Sequence, residues 1–366
     1  MPAVMAPPLP SAAQLRPALW SDLPKWGVES VKGVWPAFLQ SCAGLRTQSI
    51  WRNACAAASG IDVRDFAAQQ RFFESAFRPY AAVNPDNSLE GTITGYYEPL
   101  IKGDRKPTKL ARYPIYGIPD DLIVVDLSSV YPDLKPLRLR GRLEGNRVVP
   151  YYSRTEIENA AGNFKATPIA WADDPVDLFF LQIQGSGRIE LSNGEYMRIG
   201  YADQNGLPYK SIGKLLVERG EMKLEDASMQ SIKAWGKRNP EKLAELLANN
   251  PSYVFFRELP NGSDGPIGSL GVPLTAGYSI AVDAKYIPIG APVFLSTNYP
   301  ASSEPLDRLV MAQDTGGAIS GAVRADLFWG FGQDAGDQAG KMKQTGRLWV
   351  LLPKDFPLEQ SASKSP

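Results

Sequence analysis

The sequence predicts a mainly β protein with accessory helices, folded as two domains or as one domain interrupted by another. Three observations favour this class. The chain has 366 residues, which is more than one hydrophobic core ordinarily holds. It contains 33 glycines and 31 prolines, a share that favours turns and strands over helical bundles. Short apolar runs bounded by glycine or proline recur towards the C-terminal end, as is typical of strands.

The spacing of apolar residues divides the N-terminal half into a helical part and a β part. Apolar side chains recur at helical spacing over 25–78, where Pro36 must bend or restart one helix. Over 89–201 the residues alternate and are rich in Thr, Ile and Tyr, which predicts strands. Within this part, Asn193 and Gly194 are typical of a two-residue hairpin turn.

A second helical stretch is predicted over 210–249. One of its helices begins at Asn239, an N-cap followed by Pro240 at the first helical position. Beyond this stretch, five short apolar segments are expected to form the strands of one compact β unit: YVFFRE, PLTAGYSIAVD, IPIGAPVFL, RLVMAQD and RLWVLLP. The two ends differ, with an extended proline-rich segment over 1–24 and a polar tail over 355–366.

Charge and composition exclude several classes of function. Lys plus Arg number 39 and Asp plus Glu number 39, so nucleic acid is not an expected partner. No histidine is present, which excludes imidazole bases and His-ligated metal sites. Acid-base chemistry must then come from carboxylates, Lys, Tyr or Cys. Neither a metal nor a cofactor is predicted.

The two cysteines, Cys42 and Cys55, are too few for a zinc site with four thiolate ligands. They form either a disulfide, which would indicate an oxidising compartment, or two buried thiols. The chain has no apolar run of roughly 18 residues, so no transmembrane segment is expected.

Three aspartates in the C-terminal part share one setting. Asp283 ends the strand SIAVD, Asp314 ends LVMAQD, and Asp326 precedes LFWGFG. Because each lies where a strand meets a loop, the three side chains are candidates to converge on one rim of a barrel. The alternative is that each carboxylate caps a turn. The segment DTGG at Asp314 also matches aspartic proteases locally, but those enzymes need two such aspartates and this chain has a single copy.

A second candidate site is the segment DLFFLQIQGSGRIEL, 177–191, which is predicted as an apolar strand followed by a glycine-rich turn. Gln184 and Ser186 offer polar side chains there, while Gly185 and Gly187 permit close approach of a ligand to the backbone. This combination suits a neutral polyhydroxyl ligand. A polar β-turn without a ligand is the alternative.

Aromatic residues offer further contact surfaces. In GYYEPL, Tyr96 and Tyr97 lie on opposite faces of a strand, so one should pack inside and the other should face solvent or a groove. Trp171, Trp235 and Trp329 add flat apolar surfaces on which sugar rings stack. Most aromatic side chains in proteins belong to the core, and that remains the alternative for each of them.

Several segments together resemble the membrane-bound lytic murein transglycosylase A family, and they run in family order from about residue 30 to residue 352. These segments are GYYEP, FLQIQGSGRI, GYADQNGLPYKSIGKLL, SMQSIKAW, NPSYVFF, GVPLTAGYSIAVDAKYIPIG, AQDTGGAI, ADLFWGFG and GRLWVL. The C-terminal part is also similar, more distantly, to the three-aspartate barrel domain of barwin-like endoglucanases and expansins. The resemblance implies a double-psi β-barrel domain built from both chain ends, 25–104 and 250–354. It further implies a smaller, barrel-like β domain inserted at 105–249, with a groove between the two.

The resemblance also implies a reaction. Family members cleave the β-1,4 bond between N-acetylmuramic acid and N-acetylglucosamine of peptidoglycan without water, and they leave a 1,6-anhydro-muramoyl end. On this sequence the acid and base of the reaction would be Asp326, with Asp314 and Asp283 in supporting roles. Two alternatives are an inverting glycan hydrolase on the same barrel, which needs a second carboxylate for a water, and a peptidoglycan-binding module without activity.

A single carboxyl that acts as an acid at neutral pH must have a raised pKa, because an ordinary Asp with a pKa of ~3.9 is almost entirely ionised there. The apolar neighbours Leu327, Phe328 and Trp329 are expected to supply such an environment around Asp326.

The remaining implications concern the substrate and the location. Peptidoglycan glycan strands are the expected partner, and the protein is expected to be a monomer in the periplasm. The chain has no lipoprotein signal, so outer-membrane association would come from a signal removed from the full-length precursor. Six residues are expected to form the glycan-binding surface: Gln184, Gly185, Ser186, Gly187, Asp177 and Tyr97. Among them, Asp177 is expected to support the strand of the segment 177–191.

Overall fold

The fold is described from a computed structural model, over residues 14–357 with gaps at 132–133, 135–136, 138, 160–163, 261–264 and 318. The expected N-terminal segment up to residue 13, and the tail beyond 357, lie outside the described residues. The helices are α1 Val28–Val31, α2 Trp35–Leu45, α3 Arg52–Ala58, α4 Phe66–Ala76, α5 Arg154–Glu158, α6 Pro175–Gln184, α7 Ile212–Glu218, α8 Met229–Arg238, α9 Pro240–Ala248 and α10 Gly332–Lys341. The strands are β1 Leu15–Pro17, β2 Phe77–Ala82, β3 Gly91–Glu98, β4 Leu100–Asp104, β5 Tyr113–Tyr116, β6 Ile123–Val124, β7 Arg140–Glu144, β8 Arg147–Pro150, β9 Pro168–Ala172, β10 Ser186–Leu191, β11 Tyr196–Gln204, β12 Val254–Glu258, β13 Ser279–Val282, β14 Pro292–Asn298, β15 Pro305–Asp314, β16 Arg324–Phe331 and β17 Lys343–Pro353.

The chain divides into two compact units. The first combines Met1–Tyr97 with Ser263–Pro366, and the second is Glu98–Gly262. Strands dominate both units and helices accompany them, so the predicted fold class, mainly β with accessory helices, is confirmed at this level. The second unit extends beyond the insert expected at 105–249 on both sides.

An eight-stranded sheet forms the frame of the first unit, in the order β1-β2-β17-β14-β15-β13-β16-β3. Strand β3 also pairs with β17, with Thr94 opposite Lys343. Most apolar side chains of β13 to β17 are almost fully buried, and most of these belong to one hydrophobic core, to which the helices α1 to α4 also contribute. Close packing in this core gives a rigid support to side chains at the ends of these strands.

The helices predicted over 25–78 are present as α1 to α4, separated by turns. Helix α2 begins at Trp35 with Pro36 in its first turn, so the proline restarts a helix there as expected. The rings of Trp35, Phe38 and Phe73 contact one another edge to face or at a tilt, with centroids 5.3 to 5.9 Å apart. Burial of such side chains contributes about 1.5–3 kcal/mol each.

Cys42 of α2 and Cys55 of α3 form a disulfide, which decides between the two alternatives that the sequence leaves open. The bridge closes a loop of short sequence separation, 13 residues. Replacing both cysteines with Ser is expected to lower the free energy of unfolding of the first unit by about 3 kcal/mol, because the unfolded chain regains the entropy of that loop. Urea unfolding followed by tryptophan fluorescence measures the difference. A double variant as stable as the oxidised wild type, or a wild type whose stability does not change with reductant, would contradict it.

A six-stranded sheet forms the frame of the second unit, in the order β12-β11-β10-β4-β9-β5. Strands β10 and β11 form the hairpin predicted at Asn193 and Gly194, and Gly194 has a φ of 82°. The segment YVFFRE was expected in the C-terminal β unit, but its strand β12 pairs with β11 in this sheet instead. Its apolar alternation is the same in either sheet, so the pattern alone does not identify the partner strand.

The apolar run over 177–184 is helix α6, and the prediction of a strand there is wrong. The Asp174 carboxylate accepts hydrogen bonds from the backbone N–H groups of Val176 and Asp177, and Pro175 occupies the first helical position. At the other end Gly185 adopts a φ of 77° and closes the helix. Cap signals at both ends outweigh the strand-like composition of the run between them.

Arg154 of helix α5 lies at the centre of the second unit, with 2% of its side chain exposed. Its guanidinium donates hydrogen bonds to the carbonyl oxygens of Asn250 and Ser252 and to the Gln182 amide oxygen, at 2.5 to 3.0 Å. It also stacks between the rings of Phe179 and Tyr253, 4.8 and 5.1 Å from their centroids. This one side chain therefore links α5, α6 and the segment that leads into β12.

Within the part of the chain that the structure describes, none of the helices has the length and apolar character needed to cross a membrane.

Candidate active site

Strands β15, β13 and β16 bring two of the three predicted aspartates into one row. Ala281 of β13 pairs with Asp314 on one side, in parallel register, and with Asp326 on the other, in antiparallel register. The pairing with Asp326 is regular, whereas the register of β13 with β15 shifts between Ile280 and Ala281. Both carboxyl groups face β3, where Asp326 contacts Thr94 and Asp314 contacts Tyr96, two positions apart on one face of that strand. Their Cα atoms are separated by two strand spacings, roughly 10 Å.

Asp326 is largely shielded from water. Its carboxyl Oδ1 accepts a hydrogen bond of 2.7 Å from the Thr94 hydroxyl, and the flanking Leu327 and Phe328 are almost fully buried. Burial raises the pKa of Asp326, and the negative charge of Asp314 raises it further. The hydrogen bond from Thr94 and the charge of Arg324 oppose this shift, but burial prevails. The direction of this shift agrees with the raised pKa expected for Asp326.

Asp314 has the opposite environment, because its carboxylate accepts several hydrogen bonds. Its Oδ1 accepts from the Ser269 backbone N–H, the Ser269 hydroxyl and the Thr315 backbone N–H, each at 2.9 Å. Its Oδ2 accepts from the Tyr96 hydroxyl at 3.0 Å. Four donors stabilise a negative charge at this position.

The strand that carries Asp314 is anchored by the preceding residue. Gln313 is fully buried, and its amide donates to the Ala37 carbonyl oxygen at 2.8 Å and to the Ser41 hydroxyl at 3.0 Å, both on helix α2. Its amide oxygen accepts from the Ser279 hydroxyl of β13 at 2.5 Å. Because every polar atom of this buried amide is paired, the end of β15 has one well-defined position.

Asp283 has a different role from the other two aspartates. Its carboxylate accepts hydrogen bonds from the backbone N–H groups of Lys285, at 3.1 Å, and Gly321, at 2.9 Å. The first contact caps its own turn, and the second holds the connector that leads into β16 and Asp326. This corresponds to the turn-capping alternative for Asp283.

Three further residues belong to the site: Thr94, Tyr96 and Arg324. Their local sequence does not mark them as catalytic candidates. Thr94 and Tyr96 are two positions apart on β3, so they share a face, and Arg324 and Asp326 do the same on β16. The Arg324 guanidinium donates to the Thr94 hydroxyl at 2.8 Å. Tyr96 was considered only as an aromatic surface, although the alternation along TITGYYE would have grouped it with Thr94.

Tyr97, the predicted sugar contact, lies on the other face of β3. Its ring packs against helix α10 at Gly336, where a Cβ atom would come within 3.0 Å of the ring. By contrast, burial and the charges of Asp314 and Asp326 raise the pKa of Tyr96 well above its ordinary value. Tyr96 therefore remains a neutral hydrogen-bond donor beside both carboxyl groups.

The predicted sugar-binding segment belongs to the second unit, whereas the three aspartates belong to the first. Gln184, Gly185 and Ser186 are partly exposed at the end of α6 and the start of β10. Gly187 is buried, and a Cβ atom there would overlap the Leu181 side chain at 2.2 Å. Its glycine is thus explained by packing between helix and strand.

Asp177, expected to support a strand, lies in the first turn of α6. Both of its carboxylate oxygens are 2.6 Å from the Lys233 ammonium of α8, which also lies 3.4 Å from Asp174. Burial raises the pKa of Asp177, and Lys233 opposes that shift. The contact fastens α6 to α8, so its observed role is structural.

The site contains two carboxyl groups, Asp326 and Asp314, in contrasting environments. The sequence has no histidine, so no imidazole takes part. Burial raises the pKa of Asp326, while Asp314 is surrounded by hydrogen-bond donors that suit an anion. A pair of carboxyl groups with such different surroundings is typical of sites where one group donates a proton and the other stabilises positive charge.

Comparisons with known proteins find two family models, one that matches most of the second unit and one that matches the part of the first unit with the three aspartates. The family model "MltA specific insert domain" matches residues 92–257, and the model "3D domain" matches residues 278–352. Membrane-bound lytic murein transglycosylase A of Escherichia coli (strain K12) is 36% identical over 273 residues, which are 73% of this chain and 67% of that protein. The corresponding protein of Vibrio cholerae is 32% identical over 274 residues, again 73% and 67%.

Solved structures agree with the sequence comparisons. MltA from Neisseria gonorrhoeae, in its monoclinic form, superimposes with a TM-score of 0.84 at 43% identity, over 96% of this chain and 97% of that one. E. coli MltA with bound chitohexaose gives a TM-score of 0.71 at 27% identity, over 94% and 96%. On these matches, the chain belongs to the membrane-bound lytic murein transglycosylase A family.

Proposed function

We propose that this protein is a lytic transglycosylase that cleaves the β-1,4 bond between N-acetylmuramic acid and N-acetylglucosamine of peptidoglycan and leaves 1,6-anhydro-muramoyl ends. The observation that carries the proposal is Asp326, whose pKa is raised by burial, beside the hydrogen-bonded Asp314, in a chain without histidine. The names of its relatives, lytic murein transglycosylases, and the chitohexaose bound to the E. coli relative support the same substrate class.

In the proposed mechanism Asp326 acts twice. The neutral carboxyl first donates its proton to the glycosidic oxygen while the bond from that oxygen to C1 breaks, which leaves oxocarbenium character on the muramoyl ring. The resulting carboxylate then accepts the proton of the C6 hydroxyl as that oxygen bonds to C1. Proton and bond changes balance without water, and Asp326 returns to its acid form.

Asp314 would stabilise the positive charge that develops at C1. Its four hydrogen-bond donors, including the Tyr96 hydroxyl, hold its charge in place before the reaction begins. The same charge raises the pKa of Asp326 and so favours the acid form that starts the reaction. Asp283 would contribute indirectly, through the connector that it binds at Gly321.

Replacing Asp314 with Asn is expected to move the upper pH limit of activity to lower pH. Loss of the neighbouring charge lowers the pKa of Asp326, so its acid form is lost at a lower pH than in the wild type. The pH dependence of kcat measures this limit. Asp307→Asn, at the other end of the same strand, is the control and should leave the profile unchanged. An upper limit that stays in place or moves upward in Asp314→Asn would contradict the assigned interaction.

An inverting hydrolase would need Asp314 to act as a base for water. The four hydrogen-bond donors around Asp314, three at Oδ1 and one at Oδ2, hold its carboxylate in place and favour a charge-stabilising role over that of a base. Mass spectrometry of sacculi digested in ¹⁸O-labelled water distinguishes the alternatives. Anhydro ends without label support the proposal, whereas labelled reducing ends indicate a hydrolase, and no product with retained sacculus binding indicates a binding module.

The proposal includes finer features of fold and location. The eight-stranded sheet would be the double-psi β-barrel, and the second unit would be the inserted β domain. The additional pairing of β3 with β17 supports the barrel, since it joins two strands that are separated in the sheet order. The glycan would also contact Gln184, Gly185 and Ser186, which are the partly exposed members of the predicted set.

We also propose that the protein acts as a monomer in the periplasm. The disulfide supports an oxidising compartment, and the printed name of its relatives supports membrane association. Association with the outer membrane, through a lipoprotein signal removed from the precursor, would account for that name.

A further inference from the structure

The Thr94 hydroxyl joins two groups that do not bond to each other directly. Its Oγ1 lies 2.8 Å from Nη2 of Arg324 and 2.7 Å from Oδ1 of Asp326. A guanidinium has only donors, so Thr94 must be the acceptor in the first contact. Its single proton is then directed to Asp326, and the order of donation is fixed from Arg324 through Thr94 to Asp326.

Arg324 is itself held in place. Its Nη1 donates to the carbonyl oxygens of Thr92, at 3.2 Å, and Ala325, at 2.5 Å. These contacts hold the guanidinium in a position where it hydrogen-bonds to Thr94 and makes no ion pair with the carboxyl of Asp326. A guanidinium in direct contact with Asp326 would favour the carboxylate strongly, whereas one hydroxyl between them leaves burial as the dominant influence on the pKa of Asp326.

The fixed donor distinguishes the two oxygens of Asp326. In a neutral carboxyl the carbonyl oxygen is the better acceptor, so a donor at Oδ1 favours the form that carries its proton on Oδ2. Among the described residues, no hydrogen bond reaches Oδ2. That oxygen therefore keeps its hydrogen-bonding capacity for a ligand.

We propose that Thr94, oriented by Arg324, is a positioning residue that places the acidic proton of Asp326 on Oδ2. The inference rests on the proposed transglycosylase function. In the first step the Oδ2–H bond breaks as the glycosidic oxygen gains the proton. In the second step Oδ2 takes the proton from the C6 hydroxyl, and throughout both steps Thr94 keeps its hydrogen bond to Oδ1.

The test uses Thr94→Val, which keeps the shape and removes the hydroxyl, and Thr94→Ser, which keeps the hydroxyl. NMR titration of the Asp326 carboxyl carbon should show a higher pKa in Thr94→Val, because the donor that lowers it is gone. The upper limit of the pH profile should move upward with it, and kcat should fall about tenfold. Thr94→Ser should restore the pKa and most of kcat.

A purely structural role for Thr94 would lower activity without moving the titration of Asp326, and this outcome would overturn the proposal. So would a Thr94→Ser variant that behaves like Thr94→Val. If Thr94→Val does not fold, Arg324→Gln is the second variant. It removes the charge but keeps a donor to Thr94, so the pKa of Asp326 should rise. An unchanged pKa would contradict the proposed effect of Arg324 on Asp326.

The titration also separates this inference from the proposed function. It is read without substrate, so it reports on Thr94 even if wild-type protein releases no anhydro-muropeptides from sacculi. In that case the proposed function fails, while the effect of Thr94 on Asp326 is still decided by the NMR data.

Discussion

Asp326→Asn is expected to reduce the release of anhydro-muropeptides from purified sacculi by about 10³-fold, because in the proposed mechanism this one group serves as both acid and base. An amide neither donates an acidic proton to the leaving oxygen nor accepts one from the C6 hydroxyl. Its NH₂ and carbonyl groups have nearly the same shape, and the carbonyl still accepts the hydrogen bond from Thr94. Binding of a glycan strand should therefore be retained.

The same substitution should not destabilise the fold. The pKa of Asp326 is raised in the folded state, so the folded protein binds more protons than the unfolded chain between the two pKa values. The stability contributed by this group is full below the unfolded pKa and declines as pH rises through the folded pKa. Asn at this position removes that decline, so thermal unfolding at neutral pH should occur at the wild-type temperature or above it.

Asp355→Asn is the matched control, since Asp355 is an exposed carboxylate of the same unit. It should retain wild-type activity. Substantial turnover by Asp326→Asn would show that another group supplies the proton, and the assignment of the acid would then be wrong. A loss of glycan binding together with activity would instead indicate that Asp326 mainly holds the substrate.

Arg154→Met is expected to lower the free energy of unfolding of the second unit by about 3–5 kcal/mol. Met fills much of the same space between Phe179 and Tyr253, but it has no donors. The carbonyl oxygens of Asn250 and Ser252 and the amide of Gln182 would lose their partner in the interior. Each buried acceptor left unpaired costs about 1–3 kcal/mol.

Urea unfolding followed by circular dichroism measures this loss. Arg147→Met is the control, because Arg147 is exposed on β8 and its replacement should change stability by no more than about 0.5 kcal/mol. Equal stabilities of the two variants would mean that the hydrogen bonds of Arg154 contribute no more to stability than its hydration in the unfolded chain. Arg154 would then not be a main stabilising residue of the second unit.

The predictable parts of this protein are those that depend on local signals. Asn239 with Pro240 predicted the start of α9, and Asn193 with Gly194 predicted a hairpin, because caps and tight turns need only neighbouring residues. The apolar composition of the run over 177–184 predicts a strand, whereas the caps at Asp174 and Gly185 predict a helix. The helix is what forms. Caps were as visible there as at α9.

The candidate site was only partly predictable for a different reason. Asp326 and Asp314 were recognisable at strand ends, but their contrasting environments depend on β3, which lies more than 200 residues earlier in the chain. Nothing local to Thr94 or Tyr96 indicates which strand they face. Asp283 shares the strand-end pattern and yet binds backbone groups, because the position of its side chain depends on the connector at Gly321.

The sequence separation across the site has a consequence for biosynthesis. Thr94 and Asp326 are 232 positions apart, and Tyr96 and Asp314 are 218 apart. A ribosome must therefore add more than 200 residues after Thr94 and Tyr96 before the proposed catalytic pair can meet them. A product terminated before residue 314 lacks both carboxyl groups of the proposed reactive centre.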